Sequence, residues 1–100
     1  EFDVMRHDLQ GHWYAVDDPA SQFTVLGAER YWTYDGVPSM TDSFRLTTRC
    51  NGRSRGGPYI ASRDPEIGDT LCYSIEHLDG LRLVVMYVEN GNILEYRKLD

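Results

Sequence analysis

Few side chains in this sequence carry chemistry, and they are unevenly placed. His7, His12 and His77 are the only histidines, and the first two stand among Asp3, Asp8 and Asp17. An imidazole beside a carboxylate is the pairing that proton transfer uses, and it is two thirds of a metal site. The chain holds no Gly-x-Ser-x-Gly, no His-Glu-x-x-His, no phosphate-binding loop and no dinucleotide fingerprint. The expectation is therefore a non-enzymatic protein with no cofactor and no metal ion, with an enzyme kept as an alternative.

Charge gives the next signal. Residues 43–63 contain Arg45, Arg49, Arg53, Arg55 and Arg63 and no acid, although the formal net charge of the chain is -6. Arg53-Ser54-Arg55-Gly56-Gly57 joins forked guanidinium donors to an exposed glycine backbone, which suits a carboxylate, sulfate or phosphate. Arg53 and Arg55 are the candidate anion ligands; the alternative is that these arginines pair with Asp64, Glu66 and Asp69. Nucleic acid is excluded as a partner. An acidic chain repels the phosphate backbone, and no aromatic residues interleave with the basic segment.

Aromatic residues make up 12% of the chain, enough to line an apolar pocket with polar rims. The candidate ligand-binding residues are Trp32, Tyr34, Phe44, Leu46, Tyr73, Met86 and Tyr87, with Arg45 near the mouth for an acidic head group. Strands of five to nine residues predict a narrow cavity or none, since the interior of a small barrel holds side chains or one ligand and seldom both.

The elements that must position these residues read as strands. Asp35-Gly36, Asn51-Gly52, Asp79-Gly80 and Asn90-Gly91 are dipeptides that tolerate positive φ at both centres of a tight turn. Between such turns, β-forming runs predict strands at 12–17, 22–26, 29–34, 40–49, 59–62, 70–78, 81–89 and 92–99. Alternation places Phe44, Leu46 and Thr48 on one face of their strand and Ser43, Arg45, Thr47 and Arg49 on the other. The run from Leu81 to Val88 is apolar on both faces after Arg82. Its second face therefore calls for cover from the 3–10 segment, from a long loop or from a second subunit, so a homodimer is possible.

Gly11-His12-Trp13-Tyr14, reached through Phe2-Asp3, carries the one familial likeness. A glycine that lets the chain turn into a strand, with an indole two positions later at the strand's mouth, resembles the opening of a lipocalin or calycin-type barrel. The resemblance covers residues 2–16 and Arg97 on the final strand. It implies an antiparallel up-and-down β-barrel that binds a small molecule, with Gly11, Trp13 and Arg97 structural and the Arg97 guanidinium lying across Trp13 at the closed end. The spacing departs from the family at two points, since Phe2-Asp3 lies too far from Gly11 and Thr41-Asp42 comes too early.

Cys50 and Cys72 close a loop of about 22 residues rich in turn dipeptides, where a disulfide would contribute roughly 3 kcal/mol through loop-closure entropy. Two cysteines without a Cys-x-x-Cys partner make a poor metal or redox site. A disulfide implies secretion or the periplasm. One hundred residues at 41% apolar content suit a single all-β domain over 1–100, and no run reaches the roughly 18 apolar residues of a membrane helix. The expected function is binding of a small hydrophobic or amphipathic ligand. The alternative is a protein-binding module, such as an inhibitor of a secreted enzyme or an envelope-assembly component, with an acidic body that steers toward a cationic partner.

Overall fold

The computed structural model describes residues 2–52, 54, 58–63 and 68–99. A short helix, α1 (Asp3–Leu9), precedes eight strands: β1 (Gly11–Ala15), β2 (Ser21–Leu26), β3 (Glu29–Tyr34), β4 (Val37–Thr47), β5 (Tyr59–Arg63), β6 (Thr70–Leu78), β7 (Arg82–Tyr87) and β8 (Asn92–Lys98). Every strand runs antiparallel to its neighbour in sequence, and β1 pairs back onto β8 to close an up-and-down barrel. The all-β, eight-stranded architecture and the N-terminal helical turn are those the sequence predicts.

Turn chemistry accounts for the one sizeable difference in boundaries. Asp35 and Gly36 both take positive φ, 53° and 82°, which is the two-residue hairpin geometry whose twist matches the strands beside it. Tyr34 is thereby forced to pair with Val37, so β4 starts three residues earlier than its β-forming run suggests. The register then slips between Trp32 and Thr33, whose partners are Met40 and Pro38. A bulge of this kind absorbs one extra residue and re-aims the strand.

Asp79-Gly80 reaches the same end by another route, because Gly80 does not enter the left-handed region. The Asp79 carboxylate instead accepts hydrogen bonds from the backbone N–H groups of Leu81 and Arg82, at 2.8 and 2.9 Å, with His77 Nε2 also 2.8 Å away. The Leu81 N–H, the His77 ring and the Arg82 N–H hold the Asp79 pKa down at about 2, from an ordinary 3.8. A carboxylate whose pKa is depressed on folding stabilises above its unfolded pKa, and that contribution disappears as pH falls through the folded value. The β6–β7 turn is therefore expected to loosen between pH 4 and about 2. Amide exchange at Leu81 and Arg82 reads this out, and exchange that is unchanged across that window would contradict it.

Inward-facing side chains fill the barrel. Trp13, Phe23, Val25, Phe44, Leu46, Ile60, Ile75, Leu83, Val85 and Tyr96 form one buried cluster, sealed at one end by Leu9 of α1. A second cluster lies on the outer face of β5 and β6, where Cys50, Tyr59, Ala61 and Cys72 pack with Val88. The disulfide joins Cys50 to Cys72 with their Cα atoms 5.9 Å apart, as the cysteine spacing predicts. Both cysteines are buried, a setting that fits an oxidising compartment. Serine at both positions is expected to cost about 2–5 kcal/mol in unfolding free energy, measured by urea unfolding with midpoint and slope both fitted; an unchanged free energy would contradict it.

α1 crosses the end of the barrel and does not cover the outer face of β7. There Val84 and Met86 stay half-buried, and Leu81 at the strand's start is exposed.

Candidate functional site

Three side chains clamp α1 onto the barrel. Gly11 takes φ 123°, which L side chains rarely adopt, and lies beside the Lys98 side chain. Lys98 then reaches over the Trp13 ring, with Nζ 4.8 Å from the centroid, and donates to the Asp8 carbonyl at 2.9 Å. Trp13 Nε1 donates to the Leu9 carbonyl at 2.8 Å. Gln10 supplies the third clamp: its amide oxygen accepts from the Gly27 N–H at 2.7 Å, and its amide nitrogen donates to the Gly27 and Arg6 carbonyls. The carbonyls a helix leaves unpaired at its C-terminus are in this way tied to the sheet.

The cation over Trp13 is Lys98, which corrects the expectation for Arg97. Inward and outward residues alternate along β8, so the side chain beside Trp13 must come from the parity of Tyr96 and Lys98. Arg97 falls on the outer face, where it is exposed and 3.4 Å from Glu95. Arg82 meets the same carboxylate at 2.9 Å, and these contacts pull the Glu95 pKa down, with Arg82 the main cause.

Beside the clamped helix runs a groove of about 520 Å³, bounded by Arg6, His7 and Gln10 of α1, by Gly27 and Ala28 of the β2–β3 turn, and by Phe44, Arg45 and Leu46 of β4. Its floor is apolar, where Phe44 and Leu46 come to the rim of the core. Its basic groups are Arg6, His7 and Arg45, and no acid among the described residues lines it. Arg6 does have a carboxylate partner, Asp3, at 3.3 Å, but that pair is exposed and weakly held. The β2–β3 turn is held against β4 by the Phe44 N–H, which donates to the Ala28 carbonyl at 2.9 Å.

The barrel interior holds an ion pair that the sequence reading did not find. Arg30 and Asp42 lie directly opposite each other on β3 and β4, both inward and buried. The guanidinium meets the carboxylate in a two-point contact, Nε to Oδ1 at 2.9 Å and Nη2 to Oδ2 at 2.6 Å. Trp32 Nε1 donates to Asp42 Oδ1 at 3.3 Å. Arg30 lies 5.0 Å from the Trp32 ring centroid, 5.8 Å from that of Phe23 and 5.9 Å from that of Phe44. Only about 30 Å³ stays open beside it, between Phe23, Arg30, Trp32, Ile60, Tyr73, Leu83, Val85 and Tyr96. That is room for a water molecule. Burial raises the pKa of both Tyr73 and Tyr96 there, while Arg30 pulls each the other way.

The predicted ligand-binding residues divide accordingly. Trp32 and Tyr73 border the small internal cavity, and the Tyr87 ring packs tilted against Tyr73 with centroids 5.3 Å apart. Phe44 and Leu46 belong to the core and to the groove floor. Arg45 is on the outer face and lines the groove. Met86 also faces outward, because Leu83 and Val85 take the inward parity of β7. Tyr34 is 53% exposed at the tip of the β3–β4 hairpin.

Arg53 and Arg55 lie outside the described residues. The histidines are not brought together: His12 bonds Gln22 at 2.8 Å on the outer face, His77 belongs to the Asp79 turn and His7 lines the groove. Among the described residues no group of three or more His, Cys, Asp or Glu is gathered as a metal ion requires, and no helix is long and apolar enough to cross a membrane. Compared with family models, with curated proteins and with solved structures, the chain matches none.

Proposed function

We propose that this is a non-enzymatic binding protein that takes a small amphipathic organic anion in the groove between α1 and β4. The observation that carries the reading is the groove's lining, an apolar floor under Arg6, His7 and Arg45 with no acid among the lining residues. A volume of about 520 Å³ is within the range that small ligands use. The packed interior argues against a ligand held at the centre of the barrel. The lipocalin-like start and the closed barrel support a binding scaffold, and the buried disulfide supports a secreted or periplasmic setting.

Calorimetric titration with decanoate at low ionic strength tests the reading. Saturable binding of one equivalent is expected. Arg45→Ala is expected to weaken it about tenfold to a hundredfold, the range of a lost charge-assisted hydrogen bond of roughly 1.5–3 kcal/mol. Absence of saturable binding, or binding indifferent to Arg45, would overturn it.

A second reading, a protein-binding module, is favoured by the opposite end of the barrel. There Tyr34, Val37 and Met40 are exposed beside Asp17, Asp18 and Asp35, and Asp18, through a hydrogen bond, is the main cause of a raised Tyr34 pKa. An apolar tip ringed by carboxylates suits a cationic protein surface.

A further inference from the structure

The outer face of β4, β5 and β6 carries a second hollow that shares Phe44 and Arg45 with the groove. It measures about 270 Å³ and is bounded by Ser43, Arg45, Ala61, Arg63 and Thr70. Strand register explains its composition. Ser43 is the partner of Arg63 and Arg63 the partner of Thr70, so a hydroxyl, a guanidinium and a hydroxyl form one row across three strands. In the next row on the same face Arg45 stands opposite Ala61. A methyl group at that position leaves the space between the two guanidinium groups open, where a longer side chain would fill it.

Among the described residues no carboxylate lines the hollow, and neither Arg45 nor Arg63 has an ion-pair partner. Two planar guanidinium forks and two hydroxyls among its lining residues offer several donors to one occupant. A tetrahedral oxyanion accepts such bonds on several faces, whereas a planar carboxylate is satisfied by one fork.

We propose that this hollow is an oxyanion subsite, and that the ligand is a phosphate or sulfate monoester. Its oxyanion sits between Arg45 and Arg63, and its apolar chain runs over Phe44 into the groove beside α1. The proposal rests on the groove reading for the chain and adds a head-group class to it. Arg45 stands at the junction and serves both parts; Arg63 serves the oxyanion alone.

Titration with decyl phosphate, decanoate and inorganic phosphate in separate arms tests this. Decyl phosphate is expected to bind at least tenfold more tightly than decanoate. Inorganic phosphate is expected to shift the backbone amide signals of Ser43, Arg63 and Thr70 and to leave those of Arg6 and His7 in place. Arg63→Gln is expected to erase the advantage of decyl phosphate while leaving decanoate affinity unchanged, and Arg63 is exposed enough that the variant should fold. Equal affinity for the two decyl probes, or an advantage that survives Arg63→Gln, would overturn the subsite while decanoate binding kept the groove reading intact. Phosphate shifts at the subsite without any binding of decanoate or decyl phosphate would overturn both the groove reading and the monoester, leaving a site for a free oxyanion.

Discussion

Asp42→Ala is expected to lower the unfolding free energy by about 3–5 kcal/mol, a large share of what holds a domain of this size together. The cost does not come from losing attraction as such. It comes from stranding Arg30, whose guanidinium is buried among Phe23, Trp32 and Phe44 and has nowhere to recover the two bonds it made with the carboxylate. The faces of those three rings attract a cation, but they cannot accept hydrogen bonds as a carboxylate does.

The complementary variant separates these effects. Replacing both partners with apolar residues of similar volume, Arg30→Met with Asp42→Leu, is expected to leave stability close to that of the parent, because the desolvation cost of the pair goes with its attraction. Urea unfolding of the three proteins decides the matter. A loss below about 1 kcal/mol for Asp42→Ala, the scale of an exposed pair, would mean that the pair is hydrated inside the barrel.

Trp13→Ala is the second large effect, about 3–5 kcal/mol. The indole is fully buried, it packs against Phe23 with centroids 6.5 Å apart, and its N–H holds the last carbonyl of α1. Removing it opens a cavity at the sealed end of the core and releases one of the clamps that form the wall of the groove. Trp13→Phe keeps much of the packing and loses the N–H, so it is expected to cost less in global stability while raising amide exchange in residues 3–10. If Trp13→Phe left that exchange unchanged, Lys98 and Gln10 would suffice to hold the helix.

The strands were legible because their signals are local. Two-residue turns, period-two alternation at Phe44 and Leu46, and β-branched runs such as Val84-Val85 all act within a few residues, and the closed order β1 to β8 follows from the short connections between them. The expectation for Trp13 came from the familial likeness of its Gly-x-Trp start, and the structure buries it fully. What was not read was whatever depends on the register between strands. Arg30 and Asp42 each look like an ordinary strand polar residue, and only the Asp35-Gly36 turn, with the bulge after it, places them opposite one another. Counting parity back from Phe44 would have put Asp42 inward, and that signal was available. The choice of Lys98 over Arg97 likewise turns on the β1–β8 register, which no local pattern contains. The groove is a product of tertiary placement, since its wall is a helix fixed by side chains from β1 and β8 together with Gln10.

The β1–β8 seam has a consequence for how the molecule assembles. Seven of the eight strand pairings join neighbours along the chain, so each can form by closing a modest loop. The eighth brings residues 13–15 to residues 96–98, nearly the whole length of the polypeptide, and its entropic cost is met only once the other strands have shortened the effective path. Closure of the cylinder also sets one of the three clamps on the helix, because Lys98 bridges the same junction to Asp8. A partly formed molecule therefore has two naked strand edges, and the Lys98 clamp on α1 forms only with the last pairing.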